Sequence, residues 1–145
     1  MMKIYFCGSI RGGRMLAARY GELIRMLQTY GEVLTEHIGD DIDVLEDEDR
    51  LSDAAIYDRD MKWLSDADIV VAEVTIASIG VGYEIGSAVA LKKPVVCLFD
   101  EGSGKRLSAM IAGCSEVTTL YYNALKEVEE LISEFITMHA GGHAP

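Results

Sequence analysis

Apolar runs and helix-spaced patterns alternate along this chain from end to end. Lys3–Cys7 is a short strand-like run, followed by a polar, glycine-rich loop, Gly8–Arg14. In Met15–Tyr30 the residues Leu16, Tyr20, Leu23, Ile24 and Leu27 fall at spacings of three and four, which predicts a helix. Gly31 is placed to end that helix as a C-cap glycine. Glu32–Thr35 reads as a second short strand, and an acidic stretch, Gly39–Arg50, follows it. A helix is expected from about Asp53 to Ala67, then Ile69–Val74, an apolar run typical of a strand buried on both faces. A loop, Thr75–Val81, leads into a helix over Gly82–Leu91. Pro94–Phe99 is a fourth strand, Leu107–Ala112 a short helix, Val117–Leu120 a fifth strand and Leu125–Thr137 a closing helix.

Strand-helix alternation of this kind implies an α/β fold, with a parallel sheet covered by helices on both faces. Five strands point to a doubly wound, flavodoxin-like (Rossmann-like) sheet in the order 2-1-3-4-5. No repeat, linker or composition shift divides the chain, so residues 1–139 are expected to form one domain and 140–145 a disordered tail. In such sheets ligands sit beyond the carboxyl ends of the strands, where the first and third strands part. That rule selects two loops, Gly8–Arg14 and Thr75–Gly82.

Charge narrows the partner. The formal net charge is −11, from 13 Lys and Arg against 24 Asp and Glu, and so negative a surface repels a phosphate backbone. Polymeric nucleic acid is not an expected ligand. A single small phosphate remains possible, because a pocket acts at contact distance while surface charge is screened over about 8–10 Å. No apolar run reaches the roughly 18 residues of a membrane span, so no membrane partner is expected. The start of the chain is too short and strand-like for a signal peptide, and the expected location is cytoplasmic. The cysteines Cys7, Cys97 and Cys114 form no C-x-x-C pair and have no His at zinc spacing. All three are read as structural thiols, with Cys7 and Cys97 buried inside apolar strand-like runs. His37 is likewise not a metal ligand, and no metal or organic cofactor is expected.

The first loop, Gly8-Ser9-Ile10-Arg11-Gly12-Gly13-Arg14, matches neither G-x-x-x-x-G-K-[ST] nor G-x-G-x-x-G. It nevertheless follows a strand, opens a helix and supplies glycines, a hydroxyl and two arginines, which suits one phosphate group. A plain glycine turn with solvent-facing arginines stays open as the alternative. In the second loop, Gly80 and Gly82 let a ligand approach the backbone, and Glu84 falls in the first turn of the helix. The positive end of the helix macrodipole would hold that carboxylate ionised, as a nucleophile requires. An acidic residue there for helix stability alone is the competing account. Asp60 lies on the apolar stripe Ile56, Trp63, Leu64, Ala67, where an unpaired carboxylate tends towards a raised pKa, the property of a general acid. A buried Asp paired with an Arg is the alternative. Glu73 ends the third strand and reads as supporting structure that orients loop groups. Two carboxylates beside a phosphate cradle suggest glycosyl chemistry on a phosphorylated sugar.

At this point the residues resemble the 2'-deoxynucleoside 5'-phosphate N-hydrolases, within the wider nucleoside 2-deoxyribosyltransferase group. The likeness rests on Tyr5-Phe6-Cys7-Gly8-Ser9-Ile10-Arg11-Gly12-Gly13-Arg14, on Leu34-Thr35-Glu36-His37, and on Asp60-x-x-Trp63-Leu64-x-x-Ala67-Asp68. It continues through Val71-Ala72-Glu73-Val74-Thr75, Ser78-x-Gly80-Val81-Gly82-Tyr83-Glu84-Ile85-Gly86 and Leu107-Ser108-Ala109-Met110-Ile111. The resemblance implies hydrolysis of a deoxynucleoside 5'-monophosphate, with Glu84 as nucleophile, Asp60 engaging the sugar and assisting acid/base steps, and Tyr5 beside the 2' position. It also implies a 5'-phosphate cradle from the backbone at Ile10 with Arg11, Ser78 and Gly80. Ser108 would reach the phosphate of a neighbouring subunit, so a homodimer is implied. The acidic loop departs from the family pattern and leaves the preferred base open. Deoxyribosyl transfer, ribonucleotide hydrolysis and non-catalytic nucleotide binding are the competing functions.

Overall fold

The computed structural model describes residues 1–10, 16–39 and 50–140. Arg11 and the rest of the first loop, the acidic stretch from Asp40 to Asp49, and residues 141–145 of the expected tail lie outside the described residues. The strands are β1 (Met2–Cys7), β2 (Gly31–Val33), β3 (Ile69–Glu73), β4 (Val95–Asp100) and β5 (Val117–Tyr122). The helices are α1 (Ala17–Leu27), α2 (Asp53–Asp66), α3 (Ile79–Ala90), α4 (Ala109–Ala112) and α5 (Leu125–Ala140). The sheet runs β2-β1-β3-β4-β5, with every pairing parallel, as the alternating pattern predicts. No helix among the described residues is long and apolar enough to cross a membrane.

Period-two alternation on the strands divides the core into two layers. On one side Ile4, Phe6, Ile69 and Val71 pack against Tyr20, Leu23 and Leu27 of α1 and Val128, Ile132 and Phe135 of α5. On the other, Tyr5, Cys7, Val70 and Ala72 pack against Leu64 of α2 and Val81, Ile85 and Ala88 of α3. Burying one such Leu or Ile contributes about 1.5–3 kcal/mol, so both faces hold the sheet in place.

Several boundaries differ from expectation. The second strand is Gly31–Val33, not Glu32–Thr35, and Gly31 is its first residue instead of a helix cap. A Cβ on Gly31 would lie 2.2 Å from the Met2 carbonyl oxygen, so glycine serves close strand approach there. Thr35 continues the pairing through its side chain: Oγ1 donates to the Phe6 carbonyl at 2.7 Å and accepts the Phe6 N–H at 2.9 Å. The third helix begins at Ile79, three residues before Gly82, because Ser78 caps it by accepting the Val81 N–H at 3.3 Å. The last helix continues to Ala140, past the expected end at Thr137.

Candidate active site

The carboxyl end of β1 and the N-terminal halves of α2 and α3 enclose a cavity of about 540 Å³. Gly8 and Ile10 line it from the first loop, Asp60 from α2, and Ser78, Gly80 and Glu84 from the start of α3. Six of the residues singled out by sequence therefore share one space. Tyr5 lies beneath it, with its side chain on the same face of the sheet.

Glu84 is the sixth residue of α3, so it stands in the second turn, and the first turn carries no acidic residue. The expected stabilisation by the helix N-terminus, which fades within one turn, does not govern it. Its charge state is set from below. Burial pushes the Glu84 carboxyl up to about 7, side-chain hydrogen bonds from Tyr5 and Cys7 pull it down, and the nearby negative charge of Asp60 raises it again. Burial is also the main cause that keeps the Tyr5 phenol and the Cys7 thiol well above their ordinary values, with the Glu84 charge second. Both stay protonated and donate to the carboxylate. A carboxyl balanced near neutrality, held by two fixed donors and open to a cavity, can act as a nucleophile at physiological pH.

Asp60 faces the same cavity, but it is not the unpaired inward carboxylate of the stripe argument. Arg59 Nε donates to Asp60 Oδ1 at 3.1 Å, and the Arg59 guanidinium lies 4.9 Å from the centre of the Trp63 ring. The indole in turn meets His37 at 5.6 Å between ring centres. This stack fixes where Arg59, and hence Asp60, can sit.

Gly80 separates the cap of α3 from the carboxylate: a Cβ there would lie 3.9 Å from Ser78 Oγ and 4.0 Å from Glu84 Oε1. The first N–H groups of a helix have no partner inside it, so this end of α3 offers donors to an anion. Gly8 has a second constraint, since a Cβ on it would lie 2.8 Å from the Tyr20 ring. The Ser9 N–H donates to the Tyr20 hydroxyl at 3.1 Å, while the fully buried Ser9 Oγ has no hydrogen-bond partner among the described residues. Gly82 and Ser108 are not brought into this cavity. They line a neighbouring groove between α3 and α4, of about 870 Å³, which meets the cavity at Ser78 and Ile79. Ser108 is exposed there and caps α4 by accepting the Met110 N–H at 3.3 Å.

Glu73 faces the opposite side of the sheet from Glu84 and is fully buried. Its Oε1 accepts the Thr75 N–H at 2.7 Å, and its Oε2 accepts the Tyr122 hydroxyl. Arg19 Nη1 donates to that hydroxyl at 3.1 Å and to Asp100 Oδ2 at 2.9 Å, while the Asp100 N–H reaches Thr75 Oγ1 at 3.0 Å. This is the supporting role read for Glu73, since the network anchors the loop that delivers Ser78. Tyr122→Phe would leave one oxygen of a buried carboxylate without its donor and should destabilise the fold by about 1–3 kcal/mol in urea unfolding.

Sequence reasoning passed over two kinds of site residue. From sequence alone Cys7 reads as structural, yet it donates to Glu84; its place two residues after Tyr5 on one strand is the available signal. Tyr57 and Tyr83 also line the cavity. Cys97 does fit the structural reading, with burial pushing its thiol up to about 12.

A family model described as nucleoside 2-deoxyribosyltransferase matches residues 4–125. A 5-hydroxymethyl-dUMP N-hydrolase of Danio rerio is 50% identical over 136 residues, covering 92% of this chain and 95% of the relative. The protein of the same name from Rattus norvegicus is 47% identical over 135 residues, covering 91% of this chain and 83% of the relative. Among solved structures, the CMP N-glycosidase BcmB of Clostridium botulinum superposes with a TM-score of 0.64 at 20% identity, covering 92% of this chain and 98% of that one, a likeness of fold. The chain belongs to the nucleoside 2-deoxyribosyltransferase family.

Proposed function

We propose that this chain is an enzyme that hydrolyses the N-glycosidic bond of a 2'-deoxynucleoside 5'-monophosphate, releasing the free base and 2-deoxyribose 5-phosphate. The observation that carries the reading is Glu84, raised to near neutrality by burial above Tyr5 and Cys7, at a cavity shared with Asp60. The names of the relatives, N-hydrolases of a deoxynucleotide that match nearly the whole chain, support the substrate class.

In the first step the ionised Glu84 attacks the anomeric carbon while the bond to the base nitrogen breaks. The electron pair leaves with the base, which takes its proton from a water molecule held by the ionised Asp60, leaving hydroxide there. Developing positive charge on the sugar is stabilised by the carboxylate. That hydroxide then cleaves the glycosyl ester, giving 2-deoxyribose 5-phosphate and restoring the Glu84 carboxylate. The 5'-phosphate sits on the donors at the start of α3, with Ser78, Gly80, Gly8, Ser9, Ile10 and Arg11 as its cradle, and its binding energy positions the sugar for reaction.

The test is base release from matched deoxy- and ribonucleoside monophosphates and unphosphorylated nucleosides, for wild type and Glu84→Ala. Release confined to deoxynucleotides and lost in the variant is the expected result. Release only from ribonucleotides, or only with an acceptor base supplied, would refute the substrate assignment; none at all would leave a binding module.

The homodimer belongs to the same proposal. The groove beside the cavity is walled by Val81, Ile85, Leu107 and Ile111, and carries Ile79 and Met110 at 96% and 83% exposure. A second copy seated there covers this apolar surface and brings its Ser108 towards the first copy's phosphate. Ser108→Ala should raise KM for the nucleotide with little change in kcat, and sedimentation should give twice the chain mass. An unchanged KM would remove the shared site.

A further inference from the structure

Arg59 and Asp60 are neighbours in the chain, and neighbours on a helix point about 100° apart, so such side chains do not ordinarily meet. Here they do. Arg59 Nε donates to Asp60 Oδ1 at 3.1 Å, and the two side chains are only 22% and 25% exposed. The contact uses the inner nitrogen, so the guanidinium curls back along α2 instead of extending into solvent. What holds it there is Trp63, four residues on, whose ring centre lies 4.9 Å from Arg59 Cζ. The indole packs against the core layer of Tyr5, Cys7 and Leu64, and His37 meets its ring. A ring held this way offers a planar guanidinium a face that a Lys ammonium could not use equally well.

The cation matters because of what surrounds Asp60. Asp53, Asp60 and Glu84 line the cavity, and among the described residues no Lys or Arg does. Tyr5 and Cys7 lie beneath, where burial first, and then the charges of Glu84 and Asp60, keep them protonated. Tyr57 on α2 and Tyr83 on α3 stand along the wall, and His37 lies against the indole. Into this negative space a phosphorylated substrate brings more negative charge. The reaction set out above needs Glu84 ionised as nucleophile and Asp60 ionised as the holder of water. Two carboxylates in one cavity lose their protons as a pair, the second more reluctantly than the first. A guanidinium keeps its charge at every working pH, so Arg59 favours the doubly ionised state.

We propose that Arg59, clamped by Trp63, is a positioning residue that lets Asp60 and Glu84 be ionised together and aims Asp60 at the reacting water. The inference rests on the hydrolase reading above and supplies the countercharge that its two carboxylates require. Arg59 is not among the residues that line the cavity, so it acts through Asp60 and not on the substrate.

The experiment measures kcat and KM against pH for 5-hydroxymethyl-dUMP, the nucleotide in the relatives' names, in wild type, Arg59→Gln, Arg59→Lys and Trp63→Leu. Thermal melts check that each variant folds. The active form lacks both carboxyl protons, so the acid limb of kcat/KM reports the last one to leave. Arg59→Gln should lower kcat about tenfold at pH 9, through lost aim, with KM within about threefold of wild type. It should also move the acid limb up by about one unit, a further tenfold loss at pH 6. Arg59→Lys restores the charge but not the planar face, so the limb should return while kcat stays low. Trp63→Leu should lower kcat in the same way, and full kcat in that variant would remove the clamp. An acid limb unmoved in Arg59→Gln, or a loss confined to KM, overturns the assignment while base release itself stands. Absence of release by wild type at every pH would instead sink the hydrolase reading and this inference with it.

Discussion

Replacing Glu84 by Gln is expected to abolish base release and, at the same time, to make the protein more stable at pH 8. The first effect follows from chemistry: an amide cannot form and release the glycosyl ester, and removal of a nucleophile costs several orders of magnitude in rate. The second follows from linkage. Burial raises the Glu84 carboxyl from an ordinary value of 4.5 to about 7, so between those pH values the folded protein binds a proton that the unfolded chain has released. Stability from this group is therefore full below pH 4.5 and is lost as pH rises through 7. Above pH 7 the native state carries an ionised carboxylate at a cost of up to about 3 kcal/mol, at about 1.4 kcal/mol for each unit of raised pKa. Gln keeps the shape and the acceptor for Tyr5 and Cys7 without the charge. The gain should appear in urea unfolding at pH 8 and vanish at pH 4. A domain stable by about 5–15 kcal/mol would register it easily. Equal stability of the two proteins at pH 8 would mean that Glu84 carries no such penalty.

Local pattern in the sequence reaches the fold and the cavity but stops short of the state of Glu84. The sheet order was legible because Ile69–Ala72 is apolar on both faces and the helices fall between the strands. The cavity was legible because β1 and β3 part beside two unusual loops. The physical state of Glu84 was not. Gly80 and Gly82 are poor helix formers, so the start of α3 read as Gly82, whereas Ser78 caps a helix that begins at Ile79. That shift of one turn moves Glu84 out of the dipole's reach and onto Tyr5 and Cys7, which come from a strand about 80 residues earlier. The supports of Glu73 are equally non-local: Tyr122 lies 49 positions away, and Arg19 and Asp100 are 81 apart. Asp60 was found for a reason that proved incomplete, since Arg59, its immediate neighbour in the chain, already pairs with it. Hydrophobic periodicity reports which face a residue occupies; it does not report which distant donor waits on that face.

Those donors give the second large effect. Tyr5→Phe and Cys7→Ala each remove one hydrogen bond to the Glu84 carboxylate and leave the burial that opposes its charge. A hydrogen bond to a charged group is worth about 1.5–3 kcal/mol, which corresponds to one or two pKa units. The carboxyl should therefore titrate above 7 in both variants. The sign is fixed by the nucleophile being the ionised form: kcat/KM rises with pH through the Glu84 value and falls on the acid side. In wild type that limb should sit near pH 7, and in the variants one to two units higher. Activity at pH 6 then drops about tenfold to a hundredfold, while at pH 9 most of the loss is recovered. Tyr5 should give the larger shift, because an O–H donor binds a carboxylate more strongly than a thiol does. Cys7→Ser offers the complementary change, replacing a weak donor by a stronger one at the same position, and should move the acid limb below that of wild type. A uniform loss of activity at every pH, with the limb unmoved, would mean that the two residues only pack beneath the site. A moving limb would mean that the enzyme sets the reactivity of its nucleophile through two protonated side chains on the strand below it.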